Sequence, residues 1–412
     1  MSNTLKFGNG EWYGKEGTIL AYNDENNNYK PLLFDFDRAS GATRVNKEGL
    51  IETVGVDQPR VDYKDDSKGA LLLEPQRTNL TLYSEDLSNS YWAKQNGSIT
   101  SNVIASPSGI QNADLFTENT SNGDHAIFDV VNYFVSGTTY TLSFFAKANG
   151  RTKVEVASAN SGTCPTGRFD LQEKTATATN TSFGAKIEDY GNGWFRCSVS
   201  RVAPNSGIDL PYYAAVINFG ILDYQGNGTS GMYFWGMQTE TGSYATSYIP
   251  TQGSAVTRVA DACNGAGNNQ VINSNEGVLY YESTYTDGSD YNSISISNTS
   301  GTEKCRIWYD NTNLVFATYV GGVNQTFIGY PISKGITYKI GIRYKLNDFA
   351  LFVDGVKATN IIVSLGGVSP ANSYNKLNLN SGDINNKLYG NVKDLRVYNT
   401  ALTDKELQAL TS

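Results

Sequence analysis

The chain has 412 residues, 17% of them charged, and a net charge of −8. That length leaves room for about two or three domains, each with its own core. Diffuse acidity without a Lys/Arg run argues against a protein that grips phosphate backbones. The 41 Gly and 27 Tyr fit turn-rich β-structure rather than helical bundles or disorder. No apolar stretch approaches the ~18 residues of a transmembrane helix, so membrane insertion is not expected. Met1 to Phe7 show no charged-then-apolar signal pattern.

Residues 1–30 are polar and end in Asn23-Asp24-Glu25-Asn26-Asn27-Asn28. Asp24, Asn26 and Asn28 mimic the start of an EF-hand loop, but Tyr29 stands where its glycine belongs, which rejects calcium there. From 31 to 79, short β-like runs (Phe34 with Phe36, and Leu71 to Leu73) alternate with Gly and Pro breakers. Arg38, Arg44, Arg60 and Arg77 in this stretch read as structural arginines that tie loops through carboxylate or backbone oxygens. Residues 1–78 are therefore expected to form an extended arm or adaptor.

Strand-like runs then recur between Gly, Asn and Ser turns from 79 to 261, including "TYTLSFFAKANGRTKVEV" and "DYGNGWFRCSVSRV". They predict an antiparallel sandwich. Trp194 and Trp235 fall inside strands and are expected in the core, whereas Tyr91 and Trp92, in a Ser/Asn-rich loop context, are expected to be exposed. His125, the sole histidine, stands at a strand entrance with no G-x-S-x-G elbow anywhere, and reads as structural. Gly226 to Gly231 spell G-x-G-x-x-G, but a strand follows where dinucleotide binding needs a helix. Cys164, Cys197, Cys263 and Cys305 lack metal-site spacing and read as buried thiols, with a Cys164–Cys197 disulfide open if the protein works outside a cell.

A linker over 262–274 precedes the last domain, 275–412. There Tyr338 to Tyr344 alternate with strand periodicity, Asp354-Gly355 marks a tight turn, and Gly390 to Tyr398 make another strand. A short helix closes the chain, with Thr403 and Glu406 at capping-box spacing and Leu402 and Leu407 placed as a staple. The fold class expected is all-β, with tandem antiparallel β-sandwiches (jelly rolls), an extended N-terminal attachment segment and a short C-terminal helix.

"LFVDGVKA" followed by "GNVKDLRVYNTALTDKELQAL" resembles the concanavalin A-like, laminin-G-like jelly roll over roughly 275–412. The block 79–261, opening with "TLYSEDLSNSYWAK" and closing with "GTSGMYFWGMQTETGSYATSYIPTQGSAVTRVAD", resembles the carbohydrate-binding-module-like jelly roll of phage head-spike and tail-fibre proteins. The stretch 31–79 is similar to an adaptor of phage structural proteins.

Together these resemblances imply a head or tail fibre or spike that binds host surface polysaccharide. They imply contact with other virion proteins through the N-terminal region and a homo-oligomer, a trimer being favoured. A virion component is made in the host cytoplasm and released by lysis, which agrees with the missing export signal.

Sugar recognition needs ring faces framed by polar groups. The candidates are Tyr91 and Trp92, and an expected loop carrying Tyr285, Asp287, Asp290, Tyr291 and Asn292, where Asp287 and Asp290 could also hold structural Ca²⁺. No other cofactor is called for. Glycoside hydrolysis needs two carboxyl groups across one cleft. Glu282 is a lone acid on its strand, so a non-enzymatic protein is expected, with a polysaccharide depolymerase and a purely structural decoration protein as alternatives.

Overall fold

The computed structural model describes residues 5–10, 12, 14–15, 18–19, 33–129, 131–158, 166–204, 207–209, 211–217, 223–285, 292–310, 312–382 and 385–412. The chain divides into two compact units. One comprises Met1–Lys47, Val54–Pro75 and Val259–Ser412; the other comprises Glu48–Thr53 and Gln76–Arg258.

The first unit is a sandwich of an eight-stranded and a six-stranded sheet. In the larger sheet, Glu276–Tyr285 pairs antiparallel with Thr337–Lys345 on one side and Gly390–Tyr398 on the other. Strand parity sends Leu279, Tyr281, Ile340, Ile342, Leu395 and Val397 inward against Ile294, Ile296, Ile307, Leu314 and Phe316 of the smaller sheet. The opposite face of the larger sheet carries Val278, Tyr280, Ala350 and Phe352, which the C-terminal helix Asp404–Thr411 covers with Leu407. Gly341 lies under that helix: a Cβ there would stand 3.0 Å from Thr411 Cγ2 and 3.3 Å from Leu407 Cδ2. Thr403 and Glu406 form the expected reciprocal capping box, and Leu402 and Leu407 share one buried cluster.

The N-terminal stretch differs from the arm expected over 1–78. Leu5–Gly8 and Ala70–Leu73 both pair with Gly390–Tyr398, and Arg60–Asp62 pairs with Ala70–Leu73. Their alternate apolar residues Leu5, Phe7, Leu71 and Leu73 enter the same core as the C-terminal strands. The stretch 262–274, read as a linker, is built in too. Ala262–Asn264 pairs with Phe34–Asp37, and Ala266 and Ile272 are buried.

The second unit is a sandwich of two six-stranded sheets. Trp92–Gln95, His125–Asp129, Pro211–Ile217, Lys153–Ser158, Gly167–Asp170 and Thr175–Ala178 form one. Gly97–Ala105, Gln111–Glu118, Gly231–Thr241, Thr139–Asn149, Phe195–Val202 and Phe183–Asp189 form the other. Ile127, Val154, Phe169, Phe116, Phe144, Phe234 and Val199 fill the space between them. Among the described residues no helix is long and apolar enough to cross a membrane.

Candidate functional site

Trp92 is not on the surface. It begins the strand Trp92–Gln95, stands opposite Asp129 in the neighbouring strand and is 1% exposed, with its indole N–H donating to the Tyr83 carbonyl at 2.9 Å. Strand parity turns it inward, which overrides the polar loop before it. Tyr91 is half-buried, and its hydroxyl donates to Asp129 Oδ2 at 2.6 Å.

Asn292 is likewise buried, at 2% exposure, and its carbonyl accepts from the Tyr309 N–H at 3.0 Å. Tyr285 ends its strand opposite Gly390. Asp287, Asp290 and Tyr291 lie outside the described residues, and with them the calcium reading. Structure therefore does not bring Tyr91, Trp92 and Asn292 into an open sugar site.

The groups read as structural are held within the fold. His125 is buried, with Nδ1 2.7 Å from the Asn96 carbonyl and Nε2 3.3 Å from the Tyr224 carbonyl. Arg38 donates to Asp261 and to the Gly55 carbonyl, and Arg60 to Glu74, Asp261 and the Thr43 carbonyl. Arg44 reaches the Val61 carbonyl, and Arg77 stands 3.8 Å from Glu240. Trp194 and Trp235 are buried, as are the free thiols of Cys197, Cys263 and Cys305. Burial pushes those three thiols up. Cys164 lies outside the described residues.

Across the outer face of the six-stranded sheet in the first unit, register assembles side chains far apart in sequence. Ser293, Ser295 and Ser297 stand opposite Trp308, Arg306 and Lys304. Those three stand opposite Val315, Ala317 and Tyr319, and Ala317 stands opposite Phe327. Trp308, Val315 and Ala317 form a buried cluster with Tyr319 and Phe327 half-buried at its margin. Phe327 meets Trp308 edge-on at 5.6 Å. The Arg306 guanidinium lies 4.7 Å from the centre of the Trp308 ring and Lys304 Nζ 5.2 Å from that of Tyr319. Ser293 Oγ accepts from Arg306, and Asn378 Nδ2 donates to Ser297 Oγ at 3.1 Å. Rings beside small side chains, with hydroxyl, amide and cationic donors around them, are the materials of saccharide recognition. Each of these positions is an unremarkable strand residue in the linear sequence, and only parity plus pairing reveals the face.

The larger sheet also changes the standing of Glu282. Pairing places Asp394 directly across from it, and Asp394 is held by Arg396 Nε at 3.1 Å. Burial pushes the Glu282 carboxyl up, with Lys393 and Lys339 pulling the other way. Among the described residues, no group of three or more His, Cys, Asp or Glu side chains is placed to hold a metal ion.

No family model and no curated protein matches the chain. Among solved structures it is similar to the CBM40 of the Ruminococcus gnavus IT-sialidase bound to α2,3-sialyllactose, at 14% identity over 36% of this chain and 94% of that one, with a TM-score of 0.30. It is also similar to the tandem CBM22-1–CBM22-2 of Paenibacillus barcinonensis Xyn10C (9% identity, 80% of this chain and 99% of that chain, TM-score 0.26). The mouse laminin α1 LG4–5 domains match at 12% identity over 69% of this chain and 90% of that chain, with a TM-score of 0.25. Similarities this faint say nothing about what this chain binds.

Proposed function

We propose that this chain is a non-enzymatic glycan-binding protein and, at finer grain, a bacteriophage head or tail fibre or spike that adheres to host surface polysaccharide. The observation that carries glycan binding is the half-buried Tyr319 and Phe327 with Arg306 and Lys304, set around the buried Trp308 and serine ladder. The finer reading rests on the sequence resemblances, with the N-terminal region meeting other virion proteins and the chain acting as an oligomer.

A millimolar site contributes only about −4 kcal/mol. Many copies on one particle would raise avidity by roughly 10²–10⁴ where geometry permits. A glycan array probed with the intact chain tests the binding reading. The expected result is a defined set of bound saccharides, each losing roughly tenfold in affinity, about 1.4 kcal/mol, in Phe327→Ala and in Tyr319→Ala. An array silent for the chain and for its oligomer would overturn it. Immunogold imaging of particles with an antibody to the last domain tests the virion reading.

One observation favours a second reading, a polysaccharide depolymerase: Glu282 and Asp394 stand opposite each other in one strand pair, and glycoside hydrolysis uses two carboxyl groups. Release of reducing ends from a bound polysaccharide, abolished in Glu282→Gln, would establish it in place of binding alone.

A further inference from the structure

Arg196 contrasts with the arginines that meet a carboxylate, although an Nε without an acceptor among the described residues is shared by Arg60, Arg201, Arg258 and Arg343. Arg38 and Arg60 meet Asp261, Arg343 meets Asp404, and Arg151 grips Glu118 through Nε at 3.0 Å and Nη2 at 2.6 Å. Arg196 is 4% exposed, and among the described residues no carboxylate lies within ion-pair distance of it. Its Nη2 donates to Ser143 Oγ at 3.1 Å, its guanidinium lies 5.4 Å from the centre of the Phe145 ring, and its Nε is buried without an acceptor. The Nε/Nη2 edge that holds a carboxylate in Arg151 thus holds none in Arg196. A buried cation with no counter-charge costs several kcal/mol, which is why buried charges are ordinarily paired.

Its surroundings repeat the imbalance. Pairing lines up Glu188, Arg196, Phe145 and Trp235 across four adjacent strands. Trp235 is 2% exposed, and its indole N–H also lacks an acceptor among the described residues. Tyr190 packs on Phe145 at 4.9 Å and Tyr248 on Trp235 at 4.5 Å. Glu188, the acid opposite Arg196, is engaged with Lys186 Nζ at 2.7 Å. One row of the sheet therefore holds leftover donors beside aromatic rings, with the charge of Arg196 not engaged by the acid opposite it.

We propose that this row is a carboxylate-binding site, in which the Nε/Nη2 edge of Arg196 takes a monoanionic carboxylate from outside the chain. A planar fork matches a planar two-oxygen acceptor, and one uncompensated positive charge matches one negative charge. The carboxylate could belong to a uronic-acid saccharide or to a simple organic acid. The site lies in the other unit from the Trp308 face and stands whether or not that face binds sugars.

The test is thermal unfolding of the full chain in sodium D-glucuronate, sodium acetate, sodium phosphate, or glucose with sodium chloride, at matched ionic strength. At about ten times Kd, bound carboxylate raises the folded-to-unfolded ratio roughly 11-fold, a rise in Tm of about 2–5 °C. A rise with glucuronate alone identifies a sugar acid as the ligand, and an equal rise with acetate identifies the bare carboxylate. Arg196→Met is expected to abolish the response and, without ligand, to unfold no more easily than the parent, because it removes an uncompensated charge. Arg196→Lys keeps the charge, loses the fork, and is expected to respond several-fold less. No carboxylate response above chloride, a response to phosphate alone, or an unchanged response in Arg196→Met would overturn the proposal. Equal destabilisation by Glu188→Gln and Arg196→Met, with no carboxylate response in the parent, would instead make Glu188 the partner in solution.

Discussion

In the first unit Asp261 lies between Arg38 and Arg60, with Glu74 on the far side of Arg60, and all four side chains are nearly or fully buried. In the second unit Asp129 and Arg196 are as deeply buried, but neither is ion-paired among the described residues. Burial works against the charge of Arg60, but Asp261 and Glu74 outweigh it and hold the guanidinium above its ordinary range. Burial of Asp129 meets only the opposing hydrogen bond from Tyr91, and its carboxyl is pushed up to about 7. Where opposite charges meet, buried charge acts as a clasp, even though Arg60 Nε has no acceptor among the described residues. Where no opposite charge is in place, burial shifts the ionisation of the group, as in Asp129, or leaves its charge uncompensated, as in Arg196.

Removing the centre of the clasp is the harshest way to break this contrast. Asp261→Ala leaves Arg38 and Arg60 buried without their shared carboxylate, and it also removes the acceptor for the Glu74 backbone N–H at 2.7 Å. A loss of about 3–5 kcal/mol is expected, read as a lowered urea midpoint for the first unit. A loss below about 1 kcal/mol would place Asp261 among groups of surface-pair strength and dissolve the distinction drawn here.

The next effect depends on pH. The folded form of Asp129 holds its proton up to about 7, whereas an unfolded aspartate releases it near 3.9. Between those values the native state binds more protons than the unfolded state, so stability falls as pH rises from about 4 to about 7. Three pH units correspond to about 4 kcal/mol at most. Asp129→Asn mimics the protonated acid and is expected to flatten this slope, leaving the variant more stable than the parent at pH 8 and close to it at pH 4. Urea midpoints at those two pH values decide the matter, and parallel slopes in both proteins would assign the pH dependence elsewhere.

The same contrast marks what the sequence could disclose. Arginines tying loops together, a structural histidine and a capped closing helix are local or compositional facts, and Arg60, His125 and Thr403 occupy those roles. Leu71 pairing with Val392 is of another kind. A three- or four-residue strand between Gly and Pro breakers has no local mark of the partner it will take some 300 residues later. Trp92 was hidden for a related reason, since its polar neighbours belong to the preceding turn while its own parity belongs to the sheet. The opposition of Glu282 to Asp394, and the row from Glu188 to Trp235, exist only once register is fixed.

The smallest expected effect concerns that local end of the scale. Thr403 Oγ1 accepts from the Glu406 backbone N–H at 3.3 Å, and the Glu406 carboxylate accepts from the Thr403 backbone N–H at 2.8 Å. Donation from the Thr403 backbone N–H and from its hydroxyl holds the Glu406 carboxyl below its usual range. Thr403→Ala removes one acceptor from the first turn, an expected cost of about 1 kcal/mol. Leu407 sits in a cluster with Val278, Tyr280 and Phe352, so the packed face is expected to keep the helix docked without its cap. The variant should retain its circular dichroism while amide exchange in the first helical turn quickens by roughly fivefold, the kinetic face of about 1 kcal/mol. Loss of the whole helix instead would mean that the cap, and not the apolar face, holds it to the sheet.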